Sequence, residues 1–272
     1  MRCAQTPEAG FVCGVIRAML PSSLMPTTPT VSSATLLIAL AENLRRELAS
    51  LHFSPPVTHT YNPLEYAWNG HKAYLAKFGQ TPKRVVFLGM NPGPWGMTQT
   101  GVPFGEIAAV RAWMGLDFSV QQPVPVHPKR PITGLECRRS EVSGRRLWGM
   151  FAARYPDARD FFRDHFVLNY CPLVWMEESG KNRTPDKLPA AERAAIEAPC
   201  LNHLRKALEL MQPEWVVGVG GYAEGKLAEV TTPSDPWQIS RVPHPSPANP
   251  TANRDWAGAA IRCLRDAGIW QD

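Results

Sequence analysis

No run in this chain of 272 residues is long and apolar enough to span a bilayer, and no pair of cysteines has the spacing of a metal knuckle. Phe11 to Leu20 is apolar but short, is broken by Arg17 and has Glu8 just upstream, so it suits neither a span nor a signal peptide. The six cysteines stand at 3, 13, 137, 171, 200 and 263 with no CxxC pair, which argues against zinc and iron–sulfur frameworks. Scattered in this way they read as reduced thiols of an intracellular protein, cytoplasmic in a bacterium or nuclear in a eukaryote. There is no GxxxxGK[ST] loop, and Gly218-x-Gly220-Gly221 fails the GxGxxG spacing with no acidic ribose partner in view. Phosphoryl transfer and a dinucleotide site are therefore disfavoured, and no cofactor or metal is expected. Internal repeats are absent as well.

What is present is a hydrophobic content of 44%, enough for a large core, and 29 basic against 24 acidic residues, a net charge of +5. That balance permits a polyanionic partner without requiring one. Residues 1–33 mix Pro, Ser, Thr and apolar residues without a period and read as a flexible N-terminal extension, with Met25 as an alternative start. Residues 34–272 read as a single domain. Helical spacing of Leu36, Leu37, Leu40, Leu44, Leu48 and Leu51 predicts a helix over 34–51. Asn62-Pro63 predicts the start of another, running to Gly79. Further helices are expected over 106–115, 144–154, 188–210, 221–230 and 252–267, and strands over 84–88, 166–173, 215–219 and 238–242. Strands alternating with helices predict a three-layer α/β/α fold on a four-stranded, mostly parallel sheet.

Two segments stand out against this frame. Gly89-Met90-Asn91-Pro92-Gly93-Pro94-Trp95-Gly96 follows one predicted strand, and His244-Pro245-Ser246-Pro247-Ala248-Asn249-Pro250 follows another. A second asparagine, Asn169, closes a third. In open α/β sheets the carboxyl ends of the strands are where ligands bind, so the fold should gather Asn91, Asn169 and His244 on one rim. A carboxamide presents a donor and an acceptor on one plane, which suits the edge of a nucleobase. An imidazole N–H can stabilise a departing oxyanion, whereas an asparagine can hold a water but is a feeble base. Cleavage of an N-glycosidic bond fits such a set, because its sugar cation can be captured by a merely positioned water. Read blandly, the asparagines are turn formers, His244 a surface turn residue and Phe104 a packing aromatic. The surrounding Gly and Pro pattern favours the functional reading. The long Pro-rich loop carrying His127-Pro128-Lys129-Arg130-Pro131 and Cys137-Arg138-Arg139-Ser140-Glu141 is also more functional in style than structural.

These residues carry a resemblance. GMNPGPWGMTQTGVPFGE at 89–106, HPKRP with GLEC and SEVSG at 127–144, NYCPL at 169–173, VVGVG at 216–220 and HPSPANP at 244–250 resemble the single-strand-selective monofunctional branch of the uracil-DNA glycosylase superfamily, over roughly residues 50–270. The resemblance implies a base-excision-repair hydrolase without a cofactor, acting on DNA as a monomer by base flipping, with uracil and oxidised uracils such as 5-hydroxymethyluracil as substrates. It implies that Asn91 places the hydrolytic water and His244 stabilises the departing base. It also implies that Asn169 reads the uracil edge, that Phe104 stacks on the base, and that Gly89, Met90, Gly93 and Met97 line the pocket. Lys129, Arg130, Arg138, Arg139 and Ser143 become DNA contacts, and Ser246, Pro247, Ala248 and Asn249 form the loop that wedges into the vacated stack. The resemblance implies too that no lysine attacks the sugar. Two positions depart from the pattern: Ala248 stands where the family often carries arginine, and Trp95 where phenylalanine is usual. Two other readings remain open, a glycosylase for deaminated purines such as hypoxanthine and xanthine, and a single-strand or abasic-site binder without turnover.

Overall fold

A computed structural model describes residues 1, 4 and 31–271. The expected flexible extension, the alternative start at Met25, and Cys3 and Cys13 lie outside these residues, save for the extension's few described positions. The chain opens with α1 (Ser33–Ala49), capped by Ser32, whose hydroxyl accepts from the Thr35 N–H at 3.2 Å. Leu37, Ala41, Leu44 and Leu48 form its buried stripe, which packs on α3 and α7, introduced below.

The element order then runs β1 (Val57–Tyr61), α2 (Pro63–Tyr66), α3 (Trp68–Phe78), β2 (Val85–Gly89), α4 (Met97–Thr100), α5 (Val142–Arg154), α6 (Ala158–Asp164), β3 (His165–Asn169), β4 (Val174–Glu177) and β5 (Asn182–Arg183). It continues through α7 (Ala190–Met211), β6 (Trp215–Val219), α8 (Gly221–Val230), β7 (Gln238–Val242) and α9 (Pro250–Asp266). Four strands make the expected parallel sheet in the order β3-β2-β6-β7, flanked by helices. The core runs through it. Val85, Val86, Phe87 and Leu88 of β2, Phe166 and Val167 of β3, and Val216 and Val217 of β6 are fully buried, the continuous apolar runs of strands covered on both faces. Among the described residues no helix is long and apolar enough to cross a membrane.

Several expectations need correction. A second sheet, antiparallel, in the order β1-β4-β5, has no counterpart in the sequence reading. The expected strand over 166–173 ends at Asn169; past Pro172 the chain leaves the parallel sheet and enters β4 of the second one. The helix expected from Asn62 to Gly79 is two pieces, because Ala67 departs from helical geometry (φ −106°, ψ 24°) while Tyr66 turns inward to donate to the Thr98 carbonyl at 2.7 Å. Asn62 caps the first piece as expected, accepting from Leu64 N–H at 3.1 Å. The helix expected over 106–115 runs over 107–113, with a wide turn at Ala109–Trp113, and α6 has no counterpart in the sequence reading. Of the described cysteines, Cys137, Cys171, Cys200 and Cys263 are all free thiols.

Candidate active site

The parallel register sets the site. Gly89 pairs with Asn169 across β2 and β3, and Val219 with Val242 across β6 and β7, so all four strands end along one rim. The strand order reverses between β2 and β6, the position where α/β sheets open a crevice. Asn169 is the last residue of β3, and Asn91 and His244 follow β2 and β7 by two residues each. All three line one cavity of about 250 Å³.

Each polar group is held in a definite orientation. Asn91 donates from Nδ2 to the Leu173 carbonyl at 3.2 Å, which leaves Oδ1 as its acceptor toward a ligand. Asn169 places Nδ2 3.3 Å from the Met97 sulfur, and its Oδ1 is buried without a partner. A buried acceptor in that state costs stability until a donor arrives, which marks it as prepared for a ligand. His244 is half-buried rather than a surface turn. Its Nδ1 accepts the Ser246 N–H at 3.1 Å, so the proton of the neutral ring sits on Nε2. Burial pushes its pKa below the usual histidine value and keeps it neutral at pH 7.

The loops behind these residues are pinned. Gly220, at φ +93°, lies so close to His244 that a Cβ there would stand 3.0 Å from the histidine Cβ. The loop after His244 is tied by Arg146 donating to the Pro245 carbonyl (2.7 Å), Asn249 to the His244 carbonyl (3.0 Å) and Asn253 to the Pro247 carbonyl (2.8 Å). Its tip, Pro247 and Ala248, is exposed. Phe104 adopts a left-handed backbone (φ +53°), a conformation costing about 1–2 kcal/mol for a residue with a side chain. The turn is fixed from outside: Trp148 donates to the Pro103 carbonyl at 3.2 Å, and Gly144 lets α5 rest on the Phe104 backbone. Gly89 lacks the Cβ that would fall 2.4 Å from both Asn169 Oδ1 and the Phe104 ring. Its absence is what lets that ring and that carboxamide meet.

Of the residues singled out in the sequence, Asn91, Asn169, His244, Phe104, Met90, Gly93, Met97, Ser143, Ser246 and Pro247 line the cavity. Gly89 stands directly behind it. Lys129, Arg138, Ala248 and Asn249 do not line it. Nor do Arg130 and Arg139, whose guanidinium groups lie over the Trp95 ring at 5.1 and 5.3 Å from the centroid. Arg130 is also tied to the scaffold, donating to the Gly180 carbonyl at 2.8 Å. His127 of the same loop is fully buried, with Nε2 3.0 Å from the Glu177 carbonyl and Nδ1 accepting from Lys129 N–H.

Three polar lining residues were missed. Glu141 stands in the SEVSG stretch and accepts the Trp95 N–H at 3.4 Å; burial raises its carboxyl pKa, opposed by the backbone N–H groups of Trp95 and Ser143. Asn182 and Thr184 come from β5 and the turn after it. Their only sequence signal was a short polar stretch, Lys181-Asn182-Arg183-Thr184.

A family model described as the Uracil DNA glycosylase superfamily matches residues 76–265. A single-strand selective monofunctional uracil-DNA glycosylase of Rattus norvegicus is 46% identical over 233 residues, which is 85% of this chain and 84% of the relative. Its namesake in Bos taurus is 46% identical over 233 residues, 85% of this chain and 86% of the relative. The one in Mus musculus is 42% identical over 266 residues, 92% and 95% of the two chains. A crystal structure of SMUG2 from Pedobacter heparinus superposes with a TM-score of 0.57 at 18% identity, covering 85% of this chain and 95% of that one, a likeness of fold.

Proposed function

This chain belongs to the uracil DNA glycosylase superfamily, and from that membership we propose that it removes uracil and oxidised uracils such as 5-hydroxymethyluracil from DNA by base flipping, leaving an abasic site. The observation that carries the reading is the buried, unpartnered Oδ1 of Asn169, in one cavity with the Asn91 carboxamide and a neutral His244. A flipped uracil offers its N3–H to that oxygen and its O4 to the amide nitrogen. The Phe104 ring stacks on the base, and Met90, Gly93 and Met97 close the pocket around it.

The chemistry then follows from the donors. As the bond from C1′ to N1 breaks, its electron pair passes into the base, and charge collects on O2. His244 Nε2–H meets that charge as a fixed donor that needs no reorganisation. A water held by Asn91 adds its oxygen to C1′, and its proton leaves to solvent. No basic group is required, because the sugar cation is a strong electrophile.

Lys129, Arg130, Arg138, Arg139 and Ser143 carry the DNA strand beside the pocket, and Ser246 to Asn249 enter the vacated stack. The exposed tip has only the Ala248 methyl to offer there. Extruding a base from a duplex costs on the order of a few kcal/mol, least where it is unpaired. Uracil in a single strand is therefore the better substrate, and duplex substrate is the one that suffers.

The test is release of free base from single-stranded and duplex oligonucleotides carrying uracil, 5-hydroxymethyluracil, hypoxanthine or xanthine. Release of the two pyrimidines, faster from single strands, is expected. Release of a purine with uracil left in place would overturn the substrate assignment, and binding of all four without release would leave a binding protein. Ala248→Arg should narrow the gap between single-stranded and duplex uracil.

A further inference from the structure

The antiparallel sheet puts a third carboxamide into the cavity wall, and its bonding is unusual. Asn182, in β5, donates from Nδ2 to the Pro92 carbonyl at 3.2 Å, the residue directly after Asn91. That bond fixes which end of the carboxamide is which, since only the nitrogen can donate to a carbonyl. The oxygen is left over, and Oδ1 of Asn182 is buried with no donor. Among the described residues, two of the buried side-chain atoms without a partner belong to the lining of this one cavity, Oδ1 of Asn169 and Oδ1 of Asn182.

A count of donors narrows what Asn182 awaits. Within a DNA strand a uracil deoxynucleotide carries one hydrogen-bond donor, the N3–H, and the reading above gives it to Asn169. Besides the Glu141 carboxylate, which takes the Trp95 N–H, two carboxamide acceptors then remain at the Asn91 end of the cavity, Oδ1 of Asn91 and Oδ1 of Asn182. A water molecule has two protons to give.

We propose that Asn182 is a second holder of the hydrolytic water, its Oδ1 and that of Asn91 each accepting one proton, so that the water's lone pair is left for C1′. This rests on the assignment of the chain as a uracil glycosylase. It accounts for how neutral carboxamides can prepare a water for attack: both O–H bonds are engaged by acceptors, and the free electron pair is the part of the molecule left to face the sugar. The oxygen adds to C1′, the pair from the glycosidic bond leaves with the base, and one proton passes to solvent. The bond to Pro92 places the Asn91 turn and Asn182 in one rigid unit, which keeps the two acceptors at a constant separation.

The experiment is single-turnover release of plain uracil from a single-stranded oligonucleotide, because that base brings no second donor. Asn182→Ala is expected to slow the chemical step by on the order of tenfold or more, with substrate affinity within about twofold of wild type. Asn182→Asp, isosteric and suited to folding where the alanine variant fails, separates the roles. The ionised carboxylate keeps the acceptor and loses the donor to Pro92, so its rate should rise with pH through the carboxylate range and exceed that of Asn182→Ala. A group that only braced Pro92 would show the opposite slope, working best when protonated. Asn91→Ala combined with Asn182→Ala should cost little more than the more severe single change, since both act on one water.

An Asn182→Ala rate within twofold of wild type overturns the proposal. So does an Asn182→Asp rate that is flat or falls with pH, or a loss confined to 5-hydroxymethyluracil, whose hydroxyl would then be the awaited donor. A wild-type protein that releases no uracil at all overturns the underlying function instead, which keeps the two failures apart.

Discussion

The cavity has two kinds of wall. The parallel sheet ends in single polar residues, Asn91 and Asn169 placed by buried apolar strands and His244 by the half-exposed edge strand β7, each carrying a step of the proposed chemistry. The antiparallel sheet contributes short strands whose residues, apart from the Asn182 oxygen proposed to hold the water, steady what faces them. Asn182 of β5 holds the Pro92 carbonyl, and Tyr61 of β1 accepts the His127 N–H at 2.6 Å and donates to the Arg130 carbonyl at 3.1 Å. The difference is one of tolerance. Side chains at the ends of a sheet buried on both faces have little room to move, which suits groups that must meet charge as it develops. The second sheet lies against loops and sets where they run.

The comparison breaks most directly at His244. His244→Leu should lower turnover by on the order of 10² to 10³, as for loss of an oxyanion donor, with modest loss of DNA affinity. Equal turnover in the variant would remove the rim from the chemistry.

Acid should separate the two regions next. His71 of α3 and His165 of β3 are buried, His203 of α7 is half-buried with its Nδ1 out of reach of solvent, and desolvation lowers each pKa to about 4. The folded values lie below the unfolded one of about 6.5, so the stability they confer is present above pH 6.5 and is lost as pH falls toward 4, by on the order of a few kcal/mol in total. All three belong to the parallel sheet and its helices. Melting temperature should therefore fall between pH 7 and 4.5, with amide protection in β2 and β3 lost at least as early as in β4. An unchanged melting temperature would show that these rings are not buried neutral.

Gly89→Ala tests how tightly the rim is filled. Its methyl would collide with Asn169 Oδ1 and the Phe104 ring, and turnover should drop by about tenfold or more, equivalent to ~1.4 kcal/mol. Tyr61→Phe probes the other sheet. It leaves the His127 N–H without its partner, a cost of about 1–3 kcal/mol in stability, while turnover at saturating substrate stays close to wild type. A large loss of turnover would extend the chemistry of the second wall beyond Asn182. The smallest effect belongs to Arg139→Gln at the Trp95 stack: binding should weaken alike for all sequences, and the slope of log affinity against log salt should flatten by about 1. A loss restricted to uracil-containing DNA would move Arg139 from strand contact to base recognition.

By itself the sequence determined the parallel sheet and its rim. Strands covered on both faces must be apolar without interruption, so Val85 to Leu88 and Trp215 to Val219 stand out, and the glycine that follows each run marks where it ends. The Gly and Pro residues around Asn91 and His244 made those turns legible for the same reason: rigid backbone there has no packing purpose.

The tertiary structure alone decided the second wall. β5 spans only Asn182 and Arg183 and β4 only Val174 to Glu177, too short to show a period of two, and Pro172 hid the point where the chain changes sheets. Nor could spacing reveal that Glu141 lies against the Asn91 turn, or that Arg130 and Arg139 meet on Trp95. Those contacts join segments far apart in the chain, and only the packing of one element against another brings them within reach.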